Sequence, residues 1–348
     1  MDTFDPVVVR PENRRAQQAL EALLARAGIA LDKNLDYSLG LVDQEGKMVA
    51  TGSAYRGTLR CMAVDQAYQG QGLLARVLTS LLERQVEMGY LETFLYTKCE
   101  TARFFGDLGF YEIERVPGRV VFMSNRRNAF RAYLSSLEAS RASADRIASV
   151  VMNANPFTLG HLALLERAAR ENDVVECFVV SEDVSLIPFD VRFDLVRAGC
   201  AALPNVRLHP SGNYIVSSAT FPSYFLKDQQ VITQAHARLD IRIFGHIARA
   251  LGITRRYVGE EPFSAITQIY NDIMALELPQ CGVQLTVMAR AAGQGGIISA
   301  SRVRQYLHDG ALAAIRPFVP ATTYAFFESE KGQAIVRRIQ EASRVVHD

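Results

Sequence analysis

The stretch Asn153-Ala-Asn-Pro-Phe-Thr-Leu-Gly-His161 constrains this chain more than any other. An apolar run, Ile147 to Met152, precedes it and reads as a buried strand. Leu162 to Arg170 follows with the apolar spacing of an amphipathic helix. The stretch is therefore a strand–loop–helix junction, with Gly160 and His161 at the helix start. Such a start presents unpaired N–H groups and a partial positive charge, which suits phosphate. Gly160 lets a phosphate or base approach the backbone closely. His161 puts an imidazole donor in the same place, and Pro156 stiffens the loop. An ordinary turn with a helix cap has the same residues, so this stretch alone leaves both readings open.

A second stretch narrows the choice. Ile298-Ser-Ala-Ser-Arg-Val-Arg304 follows the glycine-rich Gly293-Gln-Gly-Gly296. Ser299 is a candidate N-cap, and Ser301 and Arg304 fall one helical turn apart. Hydroxyls and a guanidinium at a helix start again suit a polyphosphate. Two such starts in one α/β region are a less ordinary coincidence than one.

The rhythm around them supports a nucleotide fold. Strands are expected at Ile147–Met152, Val174–Val180, Val206–His209, Arg256–Val258 and Gln284–Met288. Helices are expected at Leu162–Glu171, Val191–Ala202, Arg242–Leu251, Ser264–Leu276 and Ser301–His308. Alternation of this kind predicts a doubly wound, mostly parallel sheet. Ligands bind such sheets at the carboxyl ends of the strands, where both stretches lie. A helical piece from Ala321 to Arg344 closes the chain.

The first part of the chain is different. A helix over Arg14–Ala27 precedes strands at Tyr37–Val42, Met48–Tyr55 and Leu59–Val64, with Asp43-Gln-Glu-Gly46 as a hairpin signal. Then Gln69-Gly-Gln-Gly-Leu73 leads into a helix that runs to Glu87. Thr93–Thr97 reads as a strand, Thr101–Leu108 as a short helix, and Tyr111–Arg115 and Val120–Ser124 as further strands. A strand, a glycine-spaced loop and a helix make a second pyrophosphate cradle, although a plain turn would look alike. Arg126–Glu138 reads as a helix, and Ala139-Ser-Arg-Ala-Ser-Ala144 as a small, polar linker. The expected division is 1–142 and 143–348.

Composition sets outer limits. The 348 residues carry a formal net charge of +1 and are 49% hydrophobic and 22% charged, enough for ordinary cores. That balance gives no nucleic-acid or membrane footprint. No apolar run approaches the roughly 18 residues of a membrane span, and the acidic start lacks the pattern of a signal peptide. The cysteines number 5 and are scattered, without metal spacing, so a reducing cytoplasm is expected. The histidines show no metal-binding repeat, and no protein metal cage is expected.

Taken together, Thr158, Gly160 and His161 with Ile298, Ser299, Ser301 and Arg304 resemble the paired signatures of the HxGH nucleotidyltransferase superfamily, with Thr158 in place of the first histidine. More closely, the chain is similar to the citrate lyase ligase family. Pro204-Asn-Val, Ser211 to Pro222, Tyr224-Phe-Leu-Lys227 and Gly259-Glu-Glu-Pro262 extend that resemblance over nearly the whole chain. Gly70 and Gly72, with Ala102 to Phe110, resemble the GCN5-related N-acetyltransferase fold, with Ala67 where that pattern keeps Arg or Gln. The implied fold is an acetyltransferase-like α+β domain followed by a Rossmann-like adenylating domain.

The resemblance implies ATP-dependent activation of acetate as acetyl adenylate. The acetyl group then passes to a thiol on the acyl carrier subunit of citrate lyase, with release of AMP and pyrophosphate. That thiol ends a prosthetic group derived from dephospho-coenzyme A. By the same resemblance Thr158 and His161 meet the α-phosphate, while Ser299, Ser301 and Arg304 hold the other two. Asn153, Asn155, Phe157, Gly160, Gly259 and Glu260 are further ATP-site candidates. Mg²⁺ would ride on the triphosphate with few protein ligands. Gln69, Gly70, Gln71, Gly72 and Leu73 would take the prosthetic group. Glu260 and Glu261 could touch ribose or metal-bound water, and roles for Glu182, Asp183, Lys227 and Tyr111 are left open. A phosphopantetheine adenylyltransferase-like enzyme shares both phosphate stretches, and an acetyl-coenzyme-A-dependent acetyltransferase with a nucleotide sensor is a reading of another class.

Overall fold

The computed structural model describes residues 4–181, 185–215, 221, 229–260, 265–289, 292–293 and 296–342. It forms two units. The first is Met1–Ala132 together with Phe221–Leu239, and the second is Tyr133–Thr220 together with Asp240–Asp348.

In the first unit come β1 (Asp5–Val8), α1 (Arg14–Arg26), β2 (Tyr37–Val42), β3 (Met48–Tyr55), β4 (Thr58–Val64), α2 (Leu73–Glu87), β5 (Phe94–Thr97), α3 (Ala102–Asp107), β6 (Tyr111–Val116) and β7 (Val120–Ser124). They build a seven-stranded sheet in the order β1-β2-β3-β4-β5-β7-β6. Only β4 and β5 are parallel, and they pair at just Thr58↔Phe94 and Leu59↔Leu95 before parting. Next to that split β4 is bulged. Thr51 pairs with Ala63 and Ser53 with Arg60, so Cys61 and Met62 oppose Gly52 alone, and Cys61 takes φ 51°. Leu20, Leu23 and Leu24 of α1 and Val77, Leu78 and Leu81 of α2 are buried.

The chain continues through α4 (Ala129–Ala139), β8 (Ile147–Met152), α5 (Leu159–Glu171), β9 (Val174–Val179), α6 (Phe189–Gly199), β10 (Val206–Pro210), α7 (Gln229–Leu251), β11 (Arg255–Gly259), α8 (Ala265–Glu277), β12 (Gln284–Met288), α9 (Ala300–His308), α10 (Ala321–Glu328) and α11 (Glu330–Glu341). The second unit's main sheet is all parallel, in the order β10-β9-β8-β11-β12. Val150, Met152, Val175, Val179 and Tyr257 of the sheet share a core with Leu165 of α5, Val303 and Leu307 of α9, and Ile339 of α11. One row across the sheet is polar: Arg256, Ser149, Glu176 and Arg207 oppose one another in register. Glu176 is fully buried and paired to Arg207 at 3.1 Å and to His209 at 2.5 Å. A buried carboxylate stripped of those partners would be costly, so the row discourages slippage of β10 against β9.

An α+β unit followed by a doubly wound parallel unit is the fold class that the sequence leads one to expect. Several boundaries differ. α5 begins at Leu159 rather than Leu162, because Thr158 caps it. α7 begins at Gln229 rather than Arg242. Its first turns place polar Thr233 and His236 among the buried residues, which hides the apolar period. The closing helix is two helices, since Ser329 ends α10 and its side chain caps α11 by accepting from the Gly332 N–H. β1, absent from the sequence reading, is an edge strand with mostly exposed side chains. Among the described residues no helix is long and apolar enough to cross a membrane.

Candidate functional site

The strand order of the second unit reverses direction between β8 and β11, and that is where a parallel sheet opens a crevice. These strands pair only as far as Tyr257↔Val150. Their carboxyl ends, Met152 and Gly259, lie beyond the paired stretch. Asn153–His161 leaves one end and Gly259-Glu260 the other.

The start of α5 accounts for nearly all of its backbone donors. Thr158 N–H donates to His161 Nδ1 at 3.1 Å, and His161 N–H donates to Thr158 Oγ1 at 3.4 Å, a reciprocal cap. Leu159 N–H donates to the Phe318 carbonyl at 2.9 Å, and Leu162 N–H to the Thr158 carbonyl at 3.0 Å. Gly160 N–H alone has no partner among the described residues. The one unspent donor of the turn thus belongs to the residue without a side chain.

The same cap fixes the chemistry of His161. A backbone N–H can only donate, so Nδ1 is unprotonated and the neutral ring carries its proton on Nε2. Burial lowers the pKa of His161 to about 4, so this neutral tautomer prevails near pH 7. Phe157, fully buried, lies parallel to the imidazole with centroids 5.8 Å apart. Its contribution to the site is therefore the seating of His161. A Cβ on Gly199 would come within 2.4 Å of that ring, so glycine there makes room for it.

α9 begins beside α5. A Cβ built on Gly160 would sit 3.6 Å from Ile298 Cγ2 and 3.8 Å from the Ile298 carbonyl oxygen. Ser299 caps α9 by accepting from the Arg302 N–H at 3.2 Å. Ala300 N–H has no partner among the described residues. Arg304 is only 3% exposed; its Nη1 donates to the Asn155 carbonyl at 2.6 Å and its Nη2 to Ser301 Oγ at 3.2 Å.

Arg304 shares its work with a residue that the sequence reading missed. Arg192, fully buried in α6, donates from Nη1 to the Asn153 carbonyl at 2.8 Å and to Asn153 Oδ1 at 2.9 Å. It also donates to the carbonyls of Val180 and Ile187. Between the carbonyls gripped by the two arginines lies Ala154, buried with φ 51°, a region that side chains disfavour. Two buried guanidinium groups thus brace an unfavourable turn from either side. The sequence does carry a signal: Arg192 falls on the stripe of Leu195 and Val196, where a charge is out of place.

The structure brings Asn153, Asn155, Phe157, Thr158, Gly160 and His161 together with Ser299, Ser301 and Arg304. Asn155 Oδ1 accepts from the Ile187 N–H at 3.3 Å, and Asn153 also contacts Ser185. Gly259 ends β11, with open space where a Cβ would stand, and Glu260 beside it is exposed. Glu182, Asp183, Lys227, Glu261 and Pro262 lie outside the described residues, as does most of Ser217–Pro222.

The first unit has a cavity of 840 Å³ where β4 and β5 part, lined by Met62, Val64, Tyr96, Lys98 and Phe105 among others. Gly70 and Gly72 also line it, with φ 81° and 71° and open space at each Cβ position. The N–H groups of Gly70, Gln71, Gly72 and Leu73 have no protein partner among the described residues. Gln69 N–H is spent on the Gln66 carbonyl. Tyr111 is 39% exposed on the edge strand β6, with Arg127 over its ring.

A family model described as the citrate lyase ligase C-terminal domain matches residues 147–327. The chain is 36% identical over 328 residues to the citrate (pro-3S)-lyase ligase of Escherichia coli (strain K12), covering 92% of this chain and 93% of that one. It is 36% identical over 320 residues to the enzyme of the same name from Klebsiella pneumoniae, covering 90% and 93%. Among solved structures, a GNAT-family N-acetyltransferase from Escherichia coli in complex with CoA matches with a TM-score of 0.30 and 19% identity, covering 37% of this chain and 85% of that one.

Proposed function

Because this chain belongs to the citrate lyase ligase family, we propose that its two units divide one reaction, the second making acetyl adenylate and the first presenting the thiol. The protein is a citrate (pro-3S)-lyase ligase, which acetylates and thereby activates the acyl carrier subunit of citrate lyase. A ligase of this kind uses ATP. The full-length match removes the reading as a cofactor-joining nucleotidyltransferase.

One observation carries the assignment of the adenylating site. At the switch point, the unspent Gly160 N–H and the Nε2–H of a neutral His161 belong to one helix turn, next to the start of α9. Acetate is already an anion near pH 7, so adenylation needs little proton transfer. The barrier is charge: negative charge builds at the α-phosphorus as pyrophosphate leaves. Fixed donors aimed at non-bridging oxygens lower that barrier without reorganising. Thr158 holds the ring of His161, and Ser299 and Ser301 place α9 for the outer phosphates. Arg304 works as a positioning residue, because its guanidinium already holds the Asn155 carbonyl and Ser301. Gly259 leaves room in the crevice for the nucleoside.

Mg²⁺ is a hard ion that prefers oxygen ligands, and Glu260 offers a carboxylate at the crevice. Among the described residues no group of three acidic, His or Cys side chains gathers there, so phosphate oxygens and water would complete the shell. When bound, the ion screens charge on the polyphosphate. A cytoplasmic setting accords with the free cysteines.

The deciding experiment is acetate-dependent exchange of labelled pyrophosphate into ATP, without carrier protein. Exchange that requires acetate is the expected result; exchange independent of acetate would overturn the adenylate step.

The first unit would take the phosphates and the pantetheine arm of the carrier's dephospho-coenzyme-A-derived group, at Gly70–Leu73 and along the β4/β5 cavity. Gly70→Leu with Gly72→Leu should raise the carrier KM at least tenfold, the loss of about 1.4 kcal/mol. Pyrophosphate exchange should be retained, and it serves as the control for folding. Unchanged carrier acetylation would remove the assignment.

A further inference from the structure

We propose that the side-chain amide of Asn153 is the donor that receives the carboxylate of acetate, and that Arg192 is the positioning residue that aims it. This deepens the reading of the crevice as the adenylating site and rests on it.

Asn153 is the first residue past β8 and is exposed. Its amide lies over the carboxyl ends of β8 and β9. Arg192 places it there, because its Nη1 donates to Asn153 Oδ1 at 2.9 Å and to the carbonyls of Asn153 and Val180, each at 2.8 Å. A guanidinium can only donate, so this contact fixes which end of the amide is oxygen. The Nδ2 end is therefore the one left for a ligand. Among the described residues its hydrogen-bond partner is Ser185 Oγ at 3.3 Å, which takes at most one of its two hydrogens. A donor is left over at an exposed position of the crevice.

The residue type at 153 is informative. Arg192 is fully buried. Aspartate at 153 would fill the same space and give that guanidinium a charged acceptor, the stronger bond. The neutral amide forgoes that bond, and position 153 can then admit an anion.

The anion is a carboxylate rather than a further phosphate because of the side on which Asn153 stands. Arg192 of α6 holds the turn at Asn153, and Arg304 of α9 holds it at Asn155. The α9 side, where Ile298 approaches Gly160, takes the outer phosphates in the reading above. In-line displacement puts the attacking oxygen opposite the leaving one. The acid therefore enters from the α6 side. There a carboxylate oxygen forms the new bond to the α-phosphorus as the bond to pyrophosphate breaks, and the electron pair of that bond leaves with pyrophosphate. No proton moves.

The test sets the acetate KM of ATP–pyrophosphate exchange against ATP affinity, measured by calorimetry without acetate, in the full-length protein. Asn153→Ala should raise the acetate KM on the order of 10- to 100-fold, the loss of one hydrogen bond to a charged group, and leave ATP affinity within about threefold. Asn153→Asp should raise the acetate KM by at least about 100-fold, since like charges meet. Its melting temperature should nevertheless hold or rise, because Arg192 gains a charged partner. An acetate KM unchanged in both variants, or a loss of ATP affinity equal to the loss for acetate, would overturn the proposal while acetate-dependent exchange by the unaltered protein upholds the site. No exchange by the unaltered protein, or exchange without acetate, would overturn the site reading and this proposal with it.

Discussion

Gly160→Ala should give a stable protein that has lost adenylation. The added methyl group meets Thr158 Oγ1 and Ile298 Cγ2 at 3.6 Å and the Ile298 carbonyl oxygen at 3.8 Å, all ordinary contacts. Gly160 has no positive φ to protect. Alanine is favoured over glycine in helices by about 1 kcal/mol, so the melting temperature should hold or rise. The cost falls on the ligand alone, since the methyl group stands beside the turn's one unspent N–H. Losing one preorganised donor to a developing oxyanion typically slows a reaction by about 10² to 10³. Thermal melting and acetate-dependent exchange should therefore move independently. A variant with exchange intact, or one that loses both together, would show that Gly160 serves packing instead.

The second large effect concerns His161. His161→Asn should lower kcat for exchange by about 10² to 10³ while leaving ATP binding within a few-fold. A pH signature accompanies it. The folded-state pKa of about 4 lies below the ordinary value of 6.5. The unfolded chain therefore takes up a proton first as pH falls, and stability drains away between about 6.5 and 4. The full loss is about 3 kcal/mol. Above pH 6.5 the contribution is intact, and exchange should show no His161 titration until well below pH 5. Denaturant melts at pH 7 and pH 4 on both proteins check this, because His161→Asn should lose that part of the acid sensitivity. Equal acid sensitivity in the two would mean that the imidazole is already protonated, or solvated, in the folded protein.

The sequence made the two helix starts of the candidate site legible because local chemistry writes them. Thr158 and His161 are a cap, and Ser299 is a cap, and capping is decided within four residues. The strands of the parallel sheet were legible for a related reason: apolar runs buried on both faces leave no alternation to misread. What stayed hidden depends on contacts distant in the chain. Arg192 acts on Asn153, and Arg304 on Asn155 from the far end of the sequence. The start of α7 was lost because Thr233 and His236 are buried polar residues, and no apolar stripe announces them. For Arg304 the sequence supplied the residue but not its direction. Only the fold shows that its guanidinium donates to the Asn155 carbonyl as well as to Ser301.

The first unit is not one continuous length of chain, since Phe221–Leu239 belongs to it. Within that unit Phe221 meets Tyr96 edge-on at 5.4 Å and packs on His236 at 4.8 Å. Tyr96 lines the cavity where the strands part. On the ribosome, β5 emerges long before its aromatic partner is made, by roughly ten seconds at ordinary rates of synthesis. The nascent amino-terminal part therefore waits without the ring that packs on Tyr96, and a gene cut in the 140s would leave it permanently so. Birth order and finished architecture disagree in this protein, and the later-made half supplies the last piece of the earlier one.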